Sequence, residues 1–177
     1  TEPLAQTSNK LKIPAVNVWL NSPAKKVSSV LADFETSGKM AAQHLVGRGF
    51  RRFGYMGFLR EKDSRIQIEG FRKILKPLGF RFTTYRFQRT GLGGEALGWE
   101  RFLEGLEKWA ESWEPPIGVL VSNDLYCRHL IETCRAKGLL VPEDIAIVGT
   151  SNEPAICASP YPALTSIDLD FELIGFR

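Results

Sequence analysis

"IAIVGTSNEP", residues 145–154, is the stretch whose reading decides the fold. Ile145, Ala146, Ile147 and Val148 run into Gly149, and the chain then turns polar through Thr150, Ser151, Asn152 and Glu153. A short apolar, β-branched run closed by glycine reads as a buried strand. A strand that starts in the core and ends in a row of small hydrogen-bonding side chains asks for a reason, and the rest of the chain supplies one.

Working outward, the hydrophobic spacing predicts strands over 13–19, 27–33, 52–58, 80–87, 117–122, 144–149 and 163–170. Helical stripes fall over 35–49, 64–79, 95–113 and 124–138, with glycines as stop signals at 47, 49, 79 and 138. Residues 1–12 are polar without a period and read as a tail or connection. Strands alternating with helices imply an α/β fold, with parallel sheets covered by helices on both faces. In open sheets of this kind, ligands bind outside the carboxyl ends of the strands. Thr150 to Glu153 fall at such an end. So do Asp33 after "VSSVLA", Ser122, Asn123 and Asp124 after "IGVLV", and a polar loop leading to Arg65 after "RFGYMGF". Ser122 and Asn123 equally suit helix caps, since their side chains accept from free N–H groups there, and capping and ligand contact are compatible. Arg65, taken alone, reads as a solvated surface arginine, although its fork suits paired hydrogen bonds to adjacent hydroxyls.

Composition narrows the classes. With 177 residues, 44% hydrophobic and 24% charged, the chain has the makeup of an ordinary globular protein with room for a sizeable core. The formal net charge is +3, and its one dense basic cluster is "GRGFRR" at 47–52. That cluster reads as cations at a helix C-terminus, where the dipole favours them, rather than as the charged stripe of a DNA footprint. Three cysteines, Cys127, Cys134 and Cys157, form no disulfide framework. No secretory signal and no run of transmembrane length is present, so a cytoplasmic protein with no membrane partner is expected. The chain begins at Thr1 rather than Met, and trimming is expected.

Motifs of chemistry are sparse. "GLGGEA" (91–96) fits a loose dinucleotide fingerprint, but it does not directly follow a strand and lacks the trailing ribose-binding acid, so it reads as a loop. Cys127, His129 and Cys134 do not share one helix face, and no metal is expected. No nucleophile elbow, catalytic triad or phosphate loop is present, so no enzyme and no cofactor are expected.

The segments "VLADFETSGKMAAQHLVGRGFRRFGYMGF", "SRIQIEGFRKIL", "VSNDLYCRHLIETCRAKGLLVPEDIAIVGTSNE" and "YPALTSIDLDFELIG" together resemble the effector-binding domain of lac/galactose-repressor-type regulators. The resemblance runs from about Ile13 to the end, and "VPEDIAIVG" with the later "P-x-LTS" is its most specific part. "CRHLIETC" and "IVGTSNE" narrow it towards xylose operon regulators, taken as AraC type. The resemblance implies a two-lobed periplasmic-binding-protein-like fold with a pentose such as xylose in the interlobe cleft. The runner-up implication is the solute-binding protein of a sugar transporter. The resemblance to the repressor-type domain points to Asp33, Arg65 (through Arg65-x-x-x-x-Gly70-Phe71), Asn123, Asp124, Ser151 and Asn152 as ligand-binding, with Phe34 able to stack on a sugar ring. The family usually has aspartate where this chain has Ser151. Residues 1–50 are expected to form part of an N-terminal lobe lacking its opening strands, 51–160 the C-terminal lobe, and 161–177 a strand crossing back. A homodimer is expected. DNA would be reached through a DNA-binding domain absent from this chain.

Overall fold

A computed structural model describes residues 2–23, 27–88, 96–158 and 163–176. The opening stretch forms β6 (Ile145–Thr150), inside a five-stranded sheet. Its companions are β3 (Phe53–Phe58), β4 (Phe82–Phe87), β5 (Ile117–Val121) and β7 (Thr165–Ile167), in the order β4-β3-β5-β6-β7. Every pairing is parallel, as the alternation predicts. Parallel strands of one sheet need crossovers, and helices supply them: α3 (Lys62–Leu75), α4 (Ala96–Glu111), α5 (Asp124–Ala136) and the one-turn α6 (Pro154–Cys157), while α2 (Phe34–Gly47) leads into β3.

The two faces of the sheet bury different side chains, because successive residues of a strand point to opposite sides. Ile117, Val119, Val121, Ile145 and Ile147 pack beneath α4 and α5 with Phe102, Leu106, Leu130 and Cys134. Phe53, Tyr55, Leu120 and Val148 pack beneath α2 and α3 with Ala41, Leu45, Phe71 and Leu75. Full burial of one such large apolar side chain contributes about 1.5–3 kcal/mol. Both faces are therefore covered. The division expected at residue 50 falls between α2 and the sheet on which α2 packs.

The N-terminal part departs from the sequence reading. Residues expected to be a tail form α1 (Glu2–Leu11). Pro3 suits a first helical turn, Ala5 is buried, and the Ser8 hydroxyl donates to Ile13 O at 2.6 Å to close the far end. The polar composition hid this helix, because a single buried alanine leaves no apolar period. The strands expected over 13–19 and 27–33 shrink to a two-residue parallel pair, β1 (Val16–Asn17) and β2 (Ser28–Ser29), with no third strand beside them among the described residues. The chain closes with α7 (Phe171–Phe176). Cys127, Cys134 and Cys157 are buried and free.

Candidate functional site

At the carboxyl ends of β3, β5, β6 and β7 lies a cavity of about 170 Å³. That is below the ~300–1,000 Å³ of drug-sized sites and fits a small solute. Phe58, Ser122, Asn123 and Ser151 line it from the strand ends, with Leu169 and Phe171 beyond β7. Val18, Trp19 and Leu20 close it from the segment after β1. Phe34 at the start of α2 and Asp63 in the first turn of α3 complete the wall. The closing segment is tied to α3: Asn21 Nδ2 donates to Asp63 Oδ2 at 2.8 Å, and Lys62 N donates to Asn21 Oδ1 at 2.6 Å.

Hydrogen-bonding capacity is left over in this wall. Asn123 caps α5, its Oδ1 accepting from Leu125 N at 3.0 Å, and among the described residues its amide NH₂ has no partner. Among the described residues the buried Ser122 hydroxyl has no hydrogen-bond partner, and such a deficit costs about 1–3 kcal/mol. It lies near the Tyr55 phenol without bond geometry. Burial pushes that phenol's pKa well up, and the Tyr55 hydroxyl donates to Ser64 O at 2.8 Å. Ser151 is half-buried and its hydroxyl makes no hydrogen bond among the described residues.

The loop after β6 is held in an unusual backbone. Ser151 has φ 115° and Asn152 φ 53°. Such conformations cost of order 1–3 kcal/mol each and persist where the surroundings over-determine them. Three successive backbone N–H groups are anchored here. Ser151 N donates to Ile167 O at 3.0 Å, Asn152 N to Ser166 Oγ at 3.0 Å and Glu153 N to Asp124 Oδ2 at 2.9 Å. Asp124 is 1% exposed and holds the junction together. Its Oδ1 also accepts from Ser166 Oγ at 2.6 Å, and the Cys157 thiol donates to Oδ2 at 3.4 Å. Proximity of that carboxylate adds to burial, the larger cause, in raising the Cys157 thiol to about 11. A Cβ on Gly149 would stand 2.2 Å from Asp124 Oδ1, so only glycine admits this carboxylate.

Below the cavity runs a buried polar chain. Thr150 Oγ1 donates to Val121 O at 2.9 Å, and Gln67 Nε2 donates to Thr150 Oγ1 at 2.9 Å and to Ser37 Oγ at 3.0 Å. It joins β6, α3 and α2 under the site. The polar row after "IAIV" thus divides its tasks. Thr150 points down into this chain, Ser151 lines the cavity, and Asn152 turns outward to donate from Nδ2 to Asp168 Oδ2 at 3.1 Å.

Of the expected site residues, the structure brings Phe34, Asn123 and Ser151 together on one cavity. Asp124 is turned into the scaffold, and Asn152 is spent on Asp168 and Ser166. Asp33 caps α2: Oδ1 accepts from Thr36 N at 2.9 Å and Oδ2 from Thr36 Oγ1 at 2.7 Å, and the backbone bond is the chief cause that lowers its carboxyl pKa. Arg65 is exposed, lies outside the cavity wall and makes no side-chain bond among the described residues. In its motif, Gly70 and Phe71 have packing roles: a Cβ at Gly70 would meet Glu35 O at 2.1 Å, and Phe71 is fully buried. Sequence reasoning missed Trp19, Phe58, Asp63 and Phe171. Asp63 was the most findable, being polar and at the start of the helix after β3. "GLGGEA" lies outside the described residues except for Ala96. Among the described residues no cluster of His, Cys, Asp and Glu could hold a metal ion, and no helix is long and apolar enough to cross a membrane.

A strand-end cavity over a parallel sheet is shared by many folds, and comparison with known proteins separates them. The periplasmic binding protein-like domain matches residues 42–177, most of the chain. This chain belongs to that family. Within it, the chain is 31% identical over 142 residues to the HTH-type transcriptional regulator GntR of Pseudomonas aeruginosa, covering 80% of this chain and 40% of the relative. It is 24% identical over 137 residues to the xylose operon regulatory protein of Escherichia coli, covering 76% of this chain and 34% of that protein. This member of the periplasmic binding protein-like family therefore spans well under half the length of these two relatives. The fold is shared with a LacI family transcriptional regulator from Enterococcus faecium solved with bound ribose, at TM-score 0.79 and 20% identity, over 99% of this chain and 63% of the other. These relatives are regulators rather than enzymes. They also correct the AraC-type assignment: the domain matched here is the periplasmic binding protein-like one.

Proposed function

We propose that this chain is the sugar-sensing part of a LacI-type transcription regulator and takes a pentose such as xylose in the strand-end cavity. The observation that carries the reading is the cavity wall itself, where Asn123 and Ser151, with polar groups uncommitted among the described residues, line a space flanked by Trp19, Phe34 and Phe58. A sugar presents many hydroxyls, each needing a partner once water is excluded, and an apolar ring face suited to aromatic walls. The regulator names of the relatives favour this over a transporter's solute-binding protein. Sugar binding favours a closed arrangement, and differential affinity for the closed and open forms is what biases a partner DNA-binding domain and a homodimer in the cytoplasm. Arg65 joins the sugar in that closed form, from the same turn of α3 that carries Asp63. In this reading the lobes divide just before Phe34, because α2 packs with the five-stranded sheet.

Calorimetric titration with xylose and ribose, against glycerol as a control, tests this. Saturable binding of a pentose that weakens in Ser151→Ala supports the reading. Pentose affinity no better than that of glycerol, in a chain with a cooperative melt, overturns it.

A further inference from the structure

The amino ends of β3 and β4 lie at the opposite edge of the sheet from the cleft, and a second cavity opens there, of about 610 Å³. That size is usual for small-molecule sites. Arg51 and Arg52 reach it from the turn between α2 and β3, and Arg81 from the residue before β4. The basic run at 47–52 therefore does more than follow a helix end. The helix stops at Gly47 with Arg48 as its cap, and the two later arginines line a concave surface with a third from a separate loop.

These cations are barely neutralised. Among the described residues Glu114 is the one carboxylate in the wall, and it meets Arg52 at 3.3 Å with both side chains more than half exposed, a contact of little strength. The Arg51 guanidinium donates to Phe50 O at 2.9 Å and stands 5.7 Å from the Phe80 ring centroid, which holds its plane in place. Arg81 makes no hydrogen bond or ion pair among the described residues. Between them lies an apolar floor of Phe80 and Phe82, packed on the α2–α3 face of the sheet.

We infer that this cavity is a second ligand site, separate from the sugar cleft, which takes a small organic phosphate with a planar apolar body. The phosphate lies between Arg51 and Arg81, and the body rests on the Phe80–Phe82 floor. A phosphate offers three strong acceptor oxygens to guanidiniums converging from different loops, whereas one fork satisfies a carboxylate. The concave shape and the short span of the charges separate the site from a nucleic-acid footprint, which is a stripe.

Titration of the chain with phenyl phosphate, inorganic phosphate and phenol is the test. Phenyl phosphate binds most tightly, inorganic phosphate binds about tenfold more weakly for want of the floor, and phenol shows no saturable binding. Arg51→Gln and Arg81→Gln each weaken phenyl phosphate about tenfold, with an unchanged urea midpoint and unchanged pentose titration. That pentose titration separates failure here from failure of the sugar reading. Three results overturn the inference: no saturable binding of phenyl phosphate, binding indifferent to both arginine substitutions together, or phenol binding as tightly as phenyl phosphate. So does a short DNA duplex that displaces phenyl phosphate at equal concentration.

Discussion

Ser151 and Arg65 put the sugar reading to its sharpest residue-level trial. A neutral hydroxyl bond contributes about 0.5–1.5 kcal/mol net, so Ser151→Ala should weaken pentose binding by roughly three- to tenfold. A charge-assisted, forked bond is about twice as strong, so Arg65→Ala should cost more affinity than Ser151→Ala once the cleft closes. Calorimetry on the two variants checks the order. Undiminished binding in Arg65→Ala would return that arginine to the open surface on which it stands here. Gly149→Ala belongs to the same junction. The added methyl would lie 2.2 Å from Asp124 Oδ1, and overpacking of this kind costs about 1–3 kcal/mol. A urea midpoint equal to that of the parent would refute the clash. At this scale the sequence was half legible. The place of Ser151 follows from a strand running into polar residues. The commitment of Asp124 does not, because a buried scaffold carboxylate and an exposed ligand contact look alike until the Ser166 and Glu153 partners arrive from later in the chain.

The α2–α3 pair makes the element-level case. These helices approach so closely that a Cβ at Gly38 would meet Gln67 O at 2.0 Å, and one at Gly70 would meet Glu35 O at 2.1 Å. Gly38→Ala should therefore destabilise by about 1–3 kcal/mol, read from urea unfolding, with Gly70→Ala behaving alike. The same pair is bridged by charge. Lys39 at 2.6 Å is the chief cause, and Lys73 at 2.9 Å the second, that hold the Glu35 carboxyl down to about 2. Its ordinary value is 4.5. A depressed folded pKa adds stability that is present above the ordinary value and is lost as pH falls through the folded one. Glu35→Gln should accordingly be less stable than the parent at neutral pH and converge with it between pH 4.5 and about 2. Solvent screening keeps the difference small, since the carboxyl is exposed. Parallel melting curves across that range would sink the bridge. Elements with a strong apolar period, such as α3 and β5, were plain in the sequence. The helix α1 was not, because it buries one alanine, and β1 and β2 are too short to show a period.

At the scale of the molecule, the five-stranded sheet is covered on both faces, while the N-terminal part is not. Leu4, Ile13, Val16, Val18 and Trp19 remain about half exposed or more. A contiguous exposed apolar surface seeks a partner. The 177-residue chain should therefore associate in sedimentation at tens of micromolar, and Val16→Lys with Val18→Lys should relieve it; a monomer at all concentrations would contradict this. Alternating strands and helices, read from sequence, were enough to give the parallel architecture. The cavity wall was only partly readable, since Trp19, Asp63 and Phe171 meet from distant parts of the chain.

The loop after β6 has an evolutionary consequence. Its shape is fastened through the main-chain N–H groups of Ser151, Asn152 and Glu153, which most residue types possess equally. The side chains displayed there can drift while the fastening stays, within the set that tolerates the positive φ of 151 and 152. A lineage can thus change what the loop greets without first paying in foldedness.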